Sequence, residues 1–112
     1  MARAVIVPEI TDELLGGIID RTVRGFNPYK IVLFGSRAWG QPNPQSDVDM
    51  LVIMDSDKRP AERAAAISLA VRPKFVPMDI IVRTPDEIDE RLAIGDFFIS
   101  RILRQGRILY ER

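Results

Sequence analysis

Apolar positions along this chain recur with two different periods, and the change from one to the other predicts the elements. Leu14, Leu15, Ile18, Ile19 and Val23 fall on one stripe of a helix. Thr11 is placed to cap it, with Asp12 and Glu13 in the first turn, where the helix dipole favours acids. Gly25 is expected to end this helix and Asn27-Pro28 to turn the chain, while Gly16-Gly17 inside it marks close packing. Residues 1–10 read as a loosely held lead-in that reaches Pro8. Ile31 to Phe34 is an apolar strand. A second strand, Val48 to Met54, carries Leu51 and Ile53 on one face with Asp47 and Asp49, and Val48, Met50, Val52 and Met54 on the other. Both faces turn apolar beyond the acids, so this strand is expected to be central and covered on both sides.

Asp55 to Arg59 is a polar turn, and Pro60 opens a helix rich in alanine. Its Ala61, Ala64, Ala65, Ala66 and Ala70 are expected to allow close packing on a sheet before Arg72-Pro73 breaks it. Phe75 to Val82 reads as a third strand, which must start, bulge or lie at an edge at Pro77 because proline has no N–H for the ladder. Thr84-Pro85-Asp86-Glu87 is a capping box for a helix reaching about Ile94. Asp96 then caps a helix with a broad apolar face of Phe97, Phe98, Ile99, Ile102 and Leu103. Gly106 stops it, and Arg107 to Tyr110 is a final strand or extended tail. The fold class is α/β: a small, mixed, twisted sheet with helices packed against it, its strand order not readable from the pattern.

The 112 residues are expected to form a single domain. Sixteen basic residues balance sixteen acidic ones, so no global basic field exists to hold nucleic acid. Cysteine is absent, which removes disulfides and thiolate metal sites and agrees with a cytoplasmic location. Histidine is absent too, which removes a histidine base, a histidine nucleophile and a histidine-bound zinc. Any metal must be held by oxygen, which favours Mg²⁺ or Mn²⁺. No run approaches the length of a membrane span, and no signal peptide is visible.

The chemistry concentrates between Lys30 and Met54, KIVLFGSRAWGQPNPQSDVDMLVIM. Asp47 and Asp49 stand two apart at the head of a strand, so they project from one face. Two adjacent carboxylates repel, and no lysine or arginine inside the strand neutralises them, so a divalent cation is the economical partner. Gly35-Ser36 stands where a short helix begins, and glycine there lets an anion approach the backbone. Arg37 either helps neutralise phosphates or is a surface arginine. Trp39 reads as packing, and Pro42 and Pro44 stiffen the return to Asp47. Rival motifs fail on particular residues. Gln41-Pro42 stands where a P-loop needs Lys-Ser/Thr, and Leu51-Val52 where an EF-hand needs Asp/Asn-Gly. A D-x-D phosphatase nucleophile would follow its strand, whereas these acids open theirs. The plainest alternative is a solvated turn capped by Ser46-Asp47. Asp79 lies within the apolar run of the third strand, either solvated at the strand mouth or held by a metal. Arg101, Arg104 and Arg107 read as a solvated basic face.

The stretch GSRAWGQPNPQSDVDMLV resembles the G-S-x10-D-x-D signature of the DNA polymerase β-like nucleotidyltransferases. It is most similar to the minimal nucleotidyltransferase domains encoded beside HEPN-domain toxins. The resemblance covers most of the chain and implies transfer of a nucleoside monophosphate, AMP from ATP or the equivalent from another nucleoside triphosphate, to an acceptor hydroxyl. It implies two Mg²⁺ or Mn²⁺ ions on Asp47 and Asp49, with Asp79 matching the family's third carboxylate. Gly35, Ser36 and Arg37 would hold the triphosphate. An acceptor-binding domain has no room in this length, so the acceptor side is expected from a HEPN-type partner or a second copy, with Phe97 to Leu103 as part of the contact. In that setting the chain is an antitoxin, acting either by modifying a hydroxyl of the toxin or, without catalysis, by occluding it.

Overall fold

The computed structural model describes residues 9–40 and 47–112, so the lead-in to Pro8 and the Pro42, Pro44 and Ser46 expectations lie outside the described residues. Helix α1 spans Asp12–Phe26; strand β1, Lys30–Phe34; the short helix α2, Ser36–Trp39; and β2, Val48–Ile53. Helix α3 covers Pro60–Val71, β3 Met78–Arg83, α4 Pro85–Ala93, α5 Phe97–Gln105 and β4 Arg107–Glu111. The four strands lie in the order β3-β2-β1-β4. Strand β1 pairs antiparallel with both β2 and β4, while β2 and β3 are parallel and joined by the crossover helix α3. The sheet is mixed, as the α/β reading requires.

Strand β2 is central, and from Met50 to Met54 every residue is buried. Its Val48, Met50 and Val52 join Ile31 and Leu33 in a core under α1 and α3, which contribute Leu15, Ile18, Ile67 and Val71. On the opposite face Leu51, Ile53, Val32 and Phe34 form a second core with Ile88 of α4 and Ile99 and Ile102 of α5. Burying both faces explains the continuous apolar run.

Local signals set most boundaries. Thr11 accepts the Leu14 amide at 3.1 Å. The Thr84–Glu87 capping box forms in both directions, with Thr84 N–H donating to Glu87 Oε1 at 2.8 Å and Glu87 N–H to Thr84 Oγ1 at 3.2 Å. Asp96 accepts the amides of Phe98 and Ile99, each at 3.0 Å. Four details differ from expectation. Helix α1 runs through Gly25 and ends at Asn27, which takes the left-handed conformation (φ 48°) and donates its amide to the Val23 carbonyl. Gly16 has open space where a side chain would be, and Gly17 faces only Arg21 of its own helix, so the pair marks no close packing. Strand β3 starts at Met78 rather than Phe75, which sits in a turn at φ 65°. The α3 alanines mostly face outward: Ile67, Val71 and Ala64 pack on the core, and Ala61, Ala65 and Ala70 are exposed.

The buried face of α3 also carries Arg63, whose guanidinium Nη1 meets Glu87 Oε1 at 2.6 Å. The pair ties α3 to the first turn of α4. Burial alone would raise the Glu87 carboxyl, but the Thr84 amide and then Arg63 hold it below the ordinary carboxylate range.

Candidate active site

Asp47, Asp49 and Asp79 lie towards one end of the sheet. Asp49 lies on the face of β2 that also carries Leu51 and Ile53, and the parallel register sets Asp79 of β3 directly beside it. On its other side Asp49 is paired with Phe34, the last residue of β1. Asp49 is half-buried, whereas Asp47 and Asp79 are exposed. Asp79 sits near the start of an edge strand, open to water, so no cost of burying an unpaired carboxylate arises there.

Burial first, then the charge of Asp79, then that of Asp47, push the Asp49 carboxyl up from 3.8 to about 6. Among the described residues no arginine or lysine contributes to that shift. Among the described residues no group of three or more Asp, Glu, His or Cys side chains stands close enough to hold a metal as the side chains are placed. Asp49 and Asp79 are register partners, and Asp47 acts on Asp49 through its charge. A half-buried carboxylate, repelled by two others and matched by no cationic side chain among the described residues, is a donor set that suits a hard divalent cation.

Gly35 borders the same acids. Its φ of 75° is a conformation that side chains rarely adopt, and a Cβ there would collide with the Asp49 carboxylate. Glycine is required here twice over, by backbone conformation and by the close approach of Asp49. Ser36, exposed, opens α2, whose hydrogen-bond ladder begins with the Ala38 and Trp39 amides donating to the Gly35 carbonyl at 3.0 and 3.1 Å. Arg37 follows on the same short helix, half-buried. Gly35, Ser36 and Asp49 are thus brought to one end of the β1–β2 pair.

An aromatic wall that sequence reasoning missed adjoins the acids. The Phe34 ring packs against Trp39 at 6.3 Å between centroids and meets Phe98 edge-on at 5.6 Å and 89°. The Arg101 guanidinium lies over the Trp39 ring at 4.3 Å, confirming Trp39 as a packing residue. The apolar run to Phe34 was visible in the sequence. Its pairing with Asp49 depends on β1–β2 register, which no local pattern specifies. A cavity of about 550 Å³ opens at the opposite end of the strands, around Tyr29, Ile53, Ile88 and Arg112, and touches none of the three aspartates.

A mixed sheet that presents strand-borne aspartates beside a Gly-Ser turn belongs to the class of nucleotide-transferring domains. The sequence profile of the nucleotidyltransferase domain matches residues 15–109, and the chain belongs to that family. Its structure is similar to the crystal structure of a candidate nucleotidyltransferase from Sulfolobus solfataricus, with a TM-score of 0.63 and 22% identity. That match covers 89% of this chain and 79% of the other, and at such identity the likeness is one of fold. No curated protein matches the chain.

Proposed function

We propose that this nucleotidyltransferase domain moves a nucleoside monophosphate, AMP from ATP in the first instance, onto a hydroxyl of a protein acceptor. The observation that carries the reading is the in-register pair Asp49 and Asp79, with Asp49 against Gly35 and no cationic side chain among the described residues contributing to its shift. Asp47, Asp49 and Asp79 would hold Mg²⁺ or Mn²⁺, two ions by the family pattern. When bound, those ions supply charge neutralisation for the triphosphate and for the transition state. Gly35 and Ser36 would receive the terminal phosphates, with Arg37 adding positive charge. The acceptor hydroxyl would lose its proton to water and form a bond to the α-phosphorus as the bond from that phosphorus to the α–β bridging oxygen breaks, and pyrophosphate leaves. Asp79, exposed on the edge strand, would border the approach of an acceptor and complete the site that activates its oxygen. Such chemistry rests on positioning and charge more than on a dedicated base, which suits a chain without histidine.

The acceptor is proposed to come from a HEPN-type partner, with a second copy of this chain as the alternative, and the modified hydroxyl to be that of a tyrosine. Helix α5 exposes Phe97, 86% accessible, at the start of the Phe97 to Leu103 segment expected to contribute to such a contact. Among the described residues no helix is long and apolar enough to cross a membrane. Co-expression with the partner, followed by its intact mass after incubation with ATP and Mg²⁺, is expected to show one added nucleotidyl group. A partner silenced in a stable complex yet unmodified would replace catalysis with occlusion.

A further inference from the structure

Phe98 packs against Phe34, the strand partner of Asp49, yet about half of it is left exposed. Phe34 is paired with Asp49, so their Cβ atoms are about 5 Å apart, and the Phe98 ring stands edge-on to Phe34 at 5.6 Å. Phe98 is nonetheless 49% exposed. Its position is held by the Phe34 contact on one side and by Asp96 capping its amide on the other. Resting on the reading of Asp49 and Asp79 as the triphosphate end of the site, we propose that Phe98 is the stacking platform for the base of the nucleoside triphosphate. The phosphates at Gly35 and the acids would then place the base about one ribose away, against this ring.

The same cluster says how the base is recognised. Phe34 and Phe98 offer no hydrogen-bonding group at all. Arg101 is engaged by the Trp39 ring and by Gln105, to which its Nε donates at 3.0 Å. The platform therefore reads the π-face of the base and not its edge, and every base has a π-face. Purine triphosphates should bind better than pyrimidine ones through their larger stacked area, with adenine and guanine poorly distinguished. Phe97, its neighbour in sequence, is 86% exposed and makes no ring contact among the described residues, so it is the natural control.

The test is calorimetric affinity for ATP, GTP, CTP and inorganic tripolyphosphate, each with Mg²⁺, with the fluorescence of the single tryptophan, Trp39, as a second readout. Phe98→Leu keeps apolar volume against Phe34 and removes the ring, and its thermal midpoint checks the fold. The expected result is a loss on the order of tenfold for ATP and GTP, less for CTP, and none for tripolyphosphate. Phe97→Leu is expected to leave all four unchanged. Equal loss of ATP and tripolyphosphate, no loss of either, or an equal loss in Phe97→Leu would overturn the platform. Unchanged ATP affinity with impaired modification of a partner would overturn it in favour of an acceptor contact. Failure of the unaltered protein to bind even tripolyphosphate with Mg²⁺ would instead remove the triphosphate site on which the inference rests.

Discussion

At the scale of single residues, Asp49 is the most perturbed group that bears on the chemistry. Its carboxyl is raised above the ordinary 3.8 to about 6, so the folded chain holds this proton more tightly than the unfolded chain does. The sign follows directly. The metal-free protein gains most from Asp49 when it is protonated, and that stabilisation is lost as pH rises through about 6. Denaturation midpoints measured on either side of that pH, in chelator, should fall towards higher pH. Asp49→Asn should flatten the slope and stabilise the metal-free fold above it. The same substitution, and Asp79→Asn, should lower transfer at least about 100-fold, the scale of losing one electrostatic group in a transition state. Mg²⁺ should reverse the slope by competing with the proton. An Asp79→Asn variant with full transfer activity would make Asp79 a structural acid.

Among the elements, α4 is the one whose stability rests most on named polar contacts. Thr84 caps it, Glu87 returns a hydrogen bond to the Thr84 amide, and Arg63 of α3 closes on the same Glu87 oxygen. Thr84→Ala removes one acceptor and loosens the other two contacts. It should cost about 1 kcal/mol, visible as a midpoint lower by roughly 4 °C. Nucleotide affinity should change little, because α4 begins at the end of the sheet away from the aspartates. Removing Glu87 is a different case, since it leaves the buried Arg63 guanidinium without its ion-pair partner, and such orphaned charges are costly.

For the molecule as a whole, the two cores divide the work. The face under α1 and α3 is closed, whereas the face under α4 and α5 leaves the acid-bearing end of β2 and β3 accessible. On the proposed reading, a triphosphate bound at that end would bring further negative charge onto three carboxylates. Affinity should therefore depend on Mg²⁺ or Mn²⁺, and calorimetry of ATP in the presence of a chelator should show it weakened by about 100-fold or more. Equal affinity with and without metal would remove the carboxylates from a metal-holding role. Zn²⁺ should not substitute through nitrogen or sulfur, since the chain has neither histidine nor cysteine.

How much was legible in advance follows from the range of each interaction. Caps at Thr11, Thr84 and Asp96, the end of α3 at Val71 and the two faces of β2 are decided within a few residues, so periodicity and capping chemistry reveal them. The Gly-Ser and Asp-x-Asp spacing is local as well and pointed to the family that the profile match shows. Gly25 was misread because Asn27, two residues later, could take the left-handed cap, and local preference alone does not rank the two. Phe75 was misread because strand pairing begins only where β2 offers a partner, at Val48 opposite Met78. Contacts across the sheet were out of reach for the same reason. Asp79 stands beside Asp49, and Phe34 on its other side, only because burial of Val48, Met50 and Val52 on one face and of Leu51 and Ile53 on the other fixes the register of β2 between its neighbours. The sequence by itself determined the elements and the kind of chemistry. The assembly of acids, glycine turn and aromatic wall at one end of a sheet was decided by tertiary packing, because register is set by long-range burial and not by any local pattern.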